Sequence, residues 1–339
     1  MCNLLISKKM KKNIFKKLFI KISKLVGYEI IDQNEFYSPT LEKPLNEKLS
    51  NIDKSIIIPL GEVKLTKKIN NLSIIFRTNS NVDIWDQNKK RVFEEPKIEY
   101  VLRCLFSLTK SINKLKEENS LIDINLVIVD DNSKFENLSK IKNVLDKNYS
   151  KYIIINHKKE EHKNKILERT NDQTFSNLSS LLKCFEIAKK ENTDLIYFVE
   201  DDYLHFENSL TDMINTYERV GSQTKKDIII CPCDYPFNYM TNEKTNILIG
   251  SNQHWRSVKK ILCTFMISKN MLEKYWDNLK KTCEKRHDPF EKYLNEILLD
   301  EIGISPVNTL SVHLTNINSS YGLSPFVDIK KLWEENKIV

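Results

Sequence analysis

The chain has 339 residues, a net charge of +7, 40% hydrophobic residues and 29% charged residues, a balance typical of a globular protein with a sizeable core. Its six glycines, at positions 27, 61, 221, 250, 303 and 322, are too scattered for a G-x-G-x-x-G dinucleotide loop, a P-loop or a kinase glycine loop. No run of about 18 apolar residues occurs, so the sequence predicts no membrane-spanning helix.

The N-terminal segment, residues 1–27, is strongly basic and has helical periodicity. Residues 8–24 contain eight lysines and no acidic residue. One face carries the apolar residues Ile14, Phe15, Leu18, Phe19, Ile22, Leu25 and Val26. This pattern predicts an amphipathic helix that lies on an anionic membrane surface, where lysines are attracted to lipid head groups. A basic helix docked on the chain's own body is the main alternative, and nucleic-acid binding or a targeting peptide are further ones.

The remaining body carries a net charge of −1, which disfavours a nucleic-acid-binding protein. Its cysteines are scattered and show no zinc-finger spacing, and this fits a reducing compartment. We therefore expect a cytoplasmic protein that can be peripheral at the inner face of the membrane. Residues 28–70 are polar with weak periodicity and predict a connector that holds one short apolar piece at Ile56–Leu60.

From residue 71 onward, short apolar runs alternate with helical patterns. The predicted strands are 72–76, 124–129, 152–155, 195–199, 227–231, 247–249, 261–268 and 307–314. The predicted helices are 98–115, 136–146, 174–190, 270–284 and 289–301. Nearly all-apolar strands that alternate with helices predict an α/β domain over 71–330, with a mainly parallel central sheet flanked by helices.

Acidic clusters follow two of these strands. The strand at 195–199 runs into Glu200, Asp201 and Asp202, and the strand at 124–129 runs into Asp130 and Asp131. Ligands of open α/β sheets bind beyond the carboxyl ends of the strands, and paired acids can hold a hard divalent cation on a diphosphate. The alternatives are a solvated turn after the first strand and an Asx-turn after the second.

The first strand of the domain ends in Arg77 and Thr78. At this position an arginine can reach a phosphate or a base, although a surface arginine is the simpler interpretation. With these three strand ends the chain resembles the nucleotide-sugar-dependent glycosyltransferases of the GT-A fold, in a family-2-like form. The resemblance covers about residues 71–315. The E-D-D form of the D-x-D motif is similar to that of the N-acetylglucosaminyltransferase I family.

The resemblance implies a role for each strand end. The last acid of the motif, Asp202, would carry Mn²⁺ or Mg²⁺, with help from Glu200. The nucleotide-sugar donor would contact the remaining strand-end residues, which are Arg77, Thr78, Asp130, Asp131, Glu200 and Asp201. The sequence departs from many family members in its scarcity of glycine before the motif, where residues 169–180 stand instead.

Two later residues extend the resemblance. Asp288, in the stretch His287-Asp288-Pro289-Phe290-Glu291, would be the catalytic base that takes a proton from the acceptor hydroxyl. The same stretch also predicts a capping box, with Asp288 as N-cap and Glu291 at N3. His313, at the end of the last predicted strand, would be a metal or diphosphate ligand, and a core histidine is its alternative.

Trp255 and Arg256 follow Gly250 and precede an apolar run. A tryptophan and an arginine side by side suit sugar stacking or phosphate contact. A surface loop with a half-buried ring is the alternative interpretation.

Together these features predict a metal-dependent glycosyltransferase that moves a sugar from a nucleotide-diphosphate donor to a hydroxyl acceptor, in polysaccharide or lipid-linked glycan synthesis. One alternative is a nucleotidyltransferase, which would need a glycine-rich and basic loop after the first strand, and residues 78–90 contain no glycine. A second alternative is a non-catalytic membrane-surface binding protein on a degenerate scaffold of the same fold. Convergence of Glu200, Asp202, Asp131 and His313 in one pocket would favour the enzyme.

Overall fold

The computed structural model describes residues 15, 18–19, 21–28, 50, 53–57, 61–81, 91–167 and 171–338. Most of the predicted basic helix and of the connector lies outside these residues. Within the described part, residues 21–25 are helical, and no helix combines the length and apolar character needed to cross a membrane. The chain divides into two compact units, Met1–Leu49 with Ile56–Glu62 and Ser50–Ser55 with Val63–Val339.

Thirteen strands are assigned among the described residues. In chain order they are β1 Lys54–Ile57, β2 Gly61–Lys64, β3 Asn71–Thr78, β4 Asp123–Asp130, β5 Tyr152–Asn156, β6 Leu195–Glu200, β7 Tyr203–His205, β8 Ile228–Ile230, β9 Ile247–Ile249, β10 His254–Val258, β11 Phe265–Ser268, β12 Ile302–Pro306 and β13 Ser311–His313. Strands β1 and β2 form a two-stranded sheet, and β13 pairs antiparallel with β7 in another.

The helices of the larger unit are α1 Lys97–Glu118, α2 Phe135–Asn148, α3 Asp172–Lys190, α4 Ser209–Thr224, α5 Phe237–Met240, α6 Lys269–Lys274, α7 Trp276–Glu284, α8 Lys292–Ile297 and α9 Ile329–Glu335, with a 3₁₀ turn at Lys159–His162. Helix α1 has the clearest amphipathic pattern, since it buries Val101, Leu105, Leu108 and Ile112 at helical spacing. Helix α3 begins at a side-chain cap, because Asn171 accepts hydrogen bonds from the amides of Gln173 and Thr174.

The central sheet has nine strands in the order β5-β4-β3-β6-β11-β8-β12-β10-β9. Strands β5, β4, β3 and β6 pair in parallel, and β12 pairs in parallel with β8. Strands β11 and β10 pair antiparallel with both of their neighbours, so seven of the nine strands run in one direction. The predicted α/β class, with a large central sheet flanked by helices, is confirmed.

Several boundaries differ from the prediction. The expected strand at 261–268 begins only at Phe265, and the expected strand at 307–314 is reduced to β13, Ser311–His313, in the small sheet with β7. Strands β7, β10 and β12 and the pair β1 and β2 were not predicted. These strands are only three to five residues long, which is too short to display a clear two-residue alternation.

Candidate active site

A cleft of about 850 Å³ opens at the carboxyl ends of β3, β4 and β6. It has a chemically mixed lining, with acids, cations and aromatic groups. The residues are Arg77, Thr78, Asn79, Arg91, Lys97, Tyr100, Asp131, Gln173, Asn177, Ser180, Glu200, Asp201, Asp202, Leu262, Cys263, Arg286, His287, Asp288, Phe290, Glu291, His313, Leu314 and Thr315. The site therefore forms where an open parallel sheet is expected to bind ligands.

The first acid of the E-D-D motif, Glu200, pairs with Arg77. These two residues lie opposite each other in the register of β6 and β3, and the guanidinium of Arg77 donates to the Glu200 carboxylate. The same guanidinium also donates to the carbonyl of Asn177 on α3, at 3.0 Å. Arg77 and Glu200 line the cleft but are engaged with each other, so their main contribution is to fasten β3, β6 and α3 together.

The second acid, Asp201, holds the end of β3. Its carboxylate accepts hydrogen bonds from the Thr78 hydroxyl at 2.9 Å and the Asn79 amide at 3.0 Å. The ammonium of Lys97, at the first turn of α1, pairs with the other carboxylate oxygen. Burial opposes the charge on Lys97, but Asp201 and Asp202 raise its pKa above the usual value. Lys97 is therefore protonated at neutral pH and brings a positive charge into the cleft.

The third acid, Asp202, faces His313. The carboxylate oxygen Oδ2 lies 3.4 Å from Nε2 of His313. Burial works against the charge on Asp202, yet the His313 imidazolium holds the pKa of that carboxyl well below its usual range. The pKa of His313 is raised, because the attraction of Asp202 outweighs the effect of burial. Three consecutive acids are thus compensated by three different cations: Arg77, Lys97 and His313.

Two contacts fix the orientation of the His313 ring. Its Nδ1 donates to the carbonyl of Tyr321 at 2.7 Å, which leaves Nε2 directed at Asp202. The ring stacks on Tyr203, with centroids 4.5 Å apart and planes 9° from parallel. A backbone carbonyl on one ring nitrogen is the usual device that fixes the tautomer of a metal-binding histidine.

Asp202 and His313 have the chemistry to hold a divalent cation. Oδ1 of Asp202 is buried and has no hydrogen-bond partner within the part of the chain that the structure describes. Among those residues, no three His, Cys, Asp or Glu side chains form a complete metal site. One or two protein ligands suffice where substrate phosphates complete the coordination, as is usual for Mg²⁺. The residues present therefore fit a cation that arrives with a phosphorylated ligand.

The two acids after β4 have different surroundings. Asp131 lines the cleft and accepts hydrogen bonds from the Ser176 hydroxyl at 2.8 Å and from Asn79 at 3.3 Å. Burial raises its pKa despite these bonds. Asp130 is buried and does not line the cleft, and its carboxylate accepts the amide of Ser133 at 3.0 Å. The side-chain hydrogen bond in the turn after β4 thus comes from Asp130, three residues before Ser133, whereas Asp131 lines the cleft.

Asp288 and Glu291 also line the cleft. The predicted capping box is wrong, because α8 begins at Lys292 and the N-cap is Glu291, whose side chain makes no cap hydrogen bond. Burial, with a smaller effect from the charge of Glu200, raises the pKa of Glu291 to about 7. Sequence reasoning assigned Glu291 only to the cap and missed a carboxyl group that can exchange a proton near neutral pH.

Trp255 and Arg256 do not line the cleft. The Trp255 ring is fully buried, and it lies so close to Gly250 that a Cβ there would be 2.3 Å from the indole nitrogen. Arg256 donates to the hydroxyl of Tyr239 at 2.6 Å and lies 3.6 Å from the carboxylate of Asp234. The predicted sugar or phosphate contact fails for both residues because β10 turns one side chain into the core and the other towards this separate cluster.

Three further cations that the sequence pattern did not predict line the cleft besides Arg77, namely Arg91, Lys97 and Arg286. A local sequence pattern places Lys97 at the start of a helix, since it follows Pro96. No local pattern indicates the positions of Arg91 and Arg286, because each lies in a loop whose course depends on tertiary packing. The cleft therefore pairs its carboxylates with a set of positive charges suited to a phosphorylated ligand.

No family model and no curated protein matches this sequence. Solved structures with a distant likeness include Staphylococcus aureus TarS residues 1–349, at 13% identity and a TM-score of 0.41, over 71% of this chain and 59% of that one. They also include LgtC, a galactosyltransferase solved with donor and acceptor sugar analogues, at 10% identity and a TM-score of 0.34, over 67% of this chain and 70% of that one. At this distance the likeness transfers neither an activity nor a substrate.

Proposed function

We propose that the protein is a glycosyltransferase that moves a sugar from a nucleotide-diphosphate donor to a hydroxyl acceptor. The observation that carries this proposal is the meeting of Asp131, Asp202 and His313 with Lys97 in one cleft at the carboxyl ends of β4, β6 and β13. This placement supports the resemblance of the E-D-D motif to the N-acetylglucosaminyltransferase I family. A panel of nucleotide-sugar donors distinguishes transfer of a hexosyl unit from transfer of an N-acetylhexosaminyl unit.

In this proposal, Asp202 and His313 would hold Mn²⁺ or Mg²⁺ together with the donor diphosphate, and His313 would bind as the neutral imidazole after its Nε2 proton is displaced. The cation would neutralise negative charge on the departing nucleotide. Asp131 accepts hydrogen bonds from the donor's nucleoside, and Lys97 donates to a phosphate oxygen while it remains paired with Asp201. An ammonium has three donors, so both contacts are compatible. Arg77, Thr78, Glu200 and Asp201 act by holding the strand ends, and they touch the donor only at the cleft surface.

The acceptor hydroxyl must lose a proton as it attacks the anomeric carbon. Asp288 and Glu291 lie on the cleft wall and are the two candidates for the base. Glu291 is the better matched in acidity, because its raised pKa, about 7, lies near the working pH of a cell. Asp288 remains the candidate that the family resemblance implies. Single amide variants of each residue separate these two assignments.

We place the enzyme at the inner face of a membrane, where polysaccharide and lipid-linked acceptors are assembled. The support is the run of eight lysines at residues 8–24 and the exposure of the apolar side chains among the described residues there, for example Phe19 at 61% and Ile22 at 51%. Association with vesicles that contain phosphatidylserine, lost in a variant with the first 27 residues removed, is the expected result. Equal binding of both proteins would contradict this placement.

The alternative of a non-catalytic scaffold is disfavoured, because Glu200, Asp202, Asp131 and His313 all line the one cleft. The nucleotidyltransferase alternative lacks its triphosphate loop, since residues 78–90 contain no glycine. A panel of nucleotides, nucleoside triphosphates and nucleotide sugars therefore discriminates between the three functions.

The experiment is a thermal-shift screen of this panel with and without Mn²⁺. A ligand at 100 times its Kd stabilises a folded protein by about 2.7 kcal/mol. We expect a Mn²⁺-dependent shift with one nucleotide-diphosphate sugar, lost in Asp202→Asn and retained in Asp300→Asn, a control at an exposed carboxylate. A shift with triphosphates alone would favour the nucleotidyltransferase, and no shift with any ligand would favour the scaffold.

A further inference from the structure

A second, smaller hydrophobic cluster lies beneath the cleft. It is separate from the main core and joins α1, β7, β13 and α9. Its buried members are Tyr100, Cys104, Leu204, Val312, Leu314, Leu332 and Trp333. Tyr100 and Leu314 also line the cleft. This cluster, which we call the C-terminal cluster, therefore connects the last helix of the chain to the wall and floor of the site.

Trp333 on α9 is the centre of the C-terminal cluster. Its ring stacks on Phe93, with centroids 4.4 Å apart, and lies 4.8 Å from the ring of Tyr100. Arg103 contacts both the ring and the backbone of Trp333, since its guanidinium lies 4.3 Å from the Trp333 ring and donates to the Trp333 carbonyl at 2.6 Å. The tryptophan is 3% exposed. Stacking of this kind stabilises both the rings and the backbone that carries them.

Tyr100 links Trp333 to the segment before α1. Its hydroxyl accepts a hydrogen bond from the amide of Phe93 at 2.7 Å and donates to the carbonyl of Phe93 at 2.8 Å. The guanidinium of Arg91 lies over the Tyr100 ring, 5.3 Å from its centroid. Arg91, Lys97 and Tyr100 all line the cleft. The backbone between Arg91 and Lys97 is thus tied to one ring, and that ring is held by Trp333.

We propose that Trp333 is a positioning residue for donor binding, which holds Arg91 against the diphosphate through Phe93 and Tyr100. The inference rests on the proposed function and deepens it, because it assigns the diphosphate subsite to the wall formed by Arg91 and Lys97. The C-terminal helix takes part in the site although it contributes no side chain to the cleft lining. Because the C-terminal cluster is separate from the main core, its loss loosens the wall and leaves the sheet folded.

The test compares Trp333→Leu with Trp276→Leu in the full chain. Trp276 on α7 is also packed under a cation, with the Lys189 ammonium 4.2 Å from its ring, but it does not line the cleft or belong to the C-terminal cluster. The probe is inorganic diphosphate with Mn²⁺, titrated by calorimetry. We expect about tenfold weaker binding in Trp333→Leu, unchanged binding in Trp276→Leu, and binding restored to within about threefold in Trp333→Phe.

A double-mutant cycle shows whether the effect passes through Arg91. In an Arg91→Gln background, Trp333→Leu should weaken diphosphate binding by much less than in the wild type, since the group that it positions is absent. Hydrogen exchange of the Phe93 amide should also accelerate in Trp333→Leu without any ligand.

The outcomes separate three failures. A wild type that binds neither diphosphate nor any nucleotide would overturn the proposed function and this inference with it. A wild type that binds diphosphate, with a folded Trp333→Leu variant of equal affinity, would overturn the inference alone. An undiminished effect of Trp333→Leu in the Arg91→Gln background would overturn the assignment to Arg91.

Discussion

Two groups of polar side chains follow strands of the same sheet, and they differ in whether a ligand can reach them. In the group of Asp234, Tyr239 and Arg256, the tyrosine hydroxyl donates to the aspartate, and the arginine contacts both of the other side chains. Each group keeps one carboxylate oxygen without a hydrogen bond in the described structure, Oδ1 of Asp234 and Oδ1 of Asp202. The Asp234 side chain is only 3% exposed, whereas the Asp202 side chain lines the cleft and is 29% exposed. A cluster closed to solvent, which we call sealed, stabilises its own loop, whereas a cluster with unused bonding capacity at a cleft can bind a ligand.

The same contrast separates two histidines on the small sheet of β7 and β13. His313 faces the cleft beside Asp202, and its pKa is raised. His205 is sealed, since its Nδ1 donates to the Tyr203 carbonyl at 3.0 Å and its Nε2 accepts from the Tyr197 hydroxyl at 2.7 Å. Burial lowers the pKa of His205 to about 4. Residue type alone therefore does not identify a site histidine, and its neighbours decide the role.

The largest effect should follow replacement of Asp202. Asp202→Asn keeps the shape of the side chain but removes the charge that would hold the cation, so we expect donor turnover to fall on the order of a thousandfold. Donor hydrolysis measured with Mn²⁺ is the readout. Asp234→Asn, at the sealed cluster, is the control and should retain activity. Equal activity of Asp202→Asn and the wild type would show that Asp202, like Asp234, has no role in turnover.

Acid should destabilise the fold through two buried histidines. The pKa values of His205 and His157 are lowered by burial to about 4 each, whereas the unfolded value is about 6.5. Between pH 6.5 and 4 the unfolded chain binds more protons, so stability is complete above pH 6.5 and falls as the pH drops towards 4. Each histidine accounts for at most about 3 kcal/mol of this loss.

Urea unfolding at pH 7, 5.5 and 4 measures this dependence. His205→Asn removes one of the two groups, and its stability should change less between pH 7 and pH 4 than that of the wild type. A variant with the same slope against pH as the wild type would show that His205 does not titrate in this range.

Glu291→Gln should change the pH profile of turnover. The carboxyl group of Glu291 has a pKa raised to about 7, and only its deprotonated form accepts a proton, so wild-type turnover should rise through pH 7 and level off above it. Removal of this group should lower turnover about a hundredfold and abolish that rise. Asp288→Asn is the comparison, and a rise retained in Glu291→Gln but lost in Asp288→Asn would transfer the role to Asp288.

The smallest effect should come from the sealed cluster itself. Arg256→Gln leaves the buried carboxylate of Asp234 without its cation, so the free energy of unfolding should fall by about 1–3 kcal/mol. Donor affinity should stay unchanged, because Arg256 does not line the cleft. Calorimetric unfolding and donor titration on the same preparation check both results, and a loss of affinity without a loss of stability would return Arg256 to the donor site.

The sequence predicted the parallel part of the sheet and the acids at its edge because both have local signals. Strands β3, β4 and β6 are long and apolar, and their ends are marked by Arg77, Asp131 and Asp202. The difference between Asp130 and Asp131 could not be predicted, because a one-residue change on a strand reverses the direction of the side chain. The partners of Glu200 and Asp201 depend on the register of β3 and on the start of α1. Neither the register nor the helix start can be predicted from the sequence next to the two acids.

The rest of the site depends on long-range packing. Arg91 reaches the cleft because Tyr100 and Trp333 hold the segment between Arg91 and α1, and Trp333 is 230 residues from Arg103 in the chain. Trp255 was misassigned because its neighbours in sequence gave no sign that the ring fills the core. Local patterns identify strands and strand ends, whereas the path of a loop and the exposure of a short strand follow from contacts elsewhere.

The most direct test is a crystal structure with the nucleotide diphosphate that the thermal-shift panel selects and with Mn²⁺, whose anomalous scattering locates the ion. We expect one Mn²⁺ peak beside Oδ1 of Asp202 and Nε2 of His313, and a diphosphate in contact with Lys97 and Arg91. A nucleotide bound outside the cleft, or an ion that contacts neither Asp202 nor His313, would show that this cleft is not the donor site.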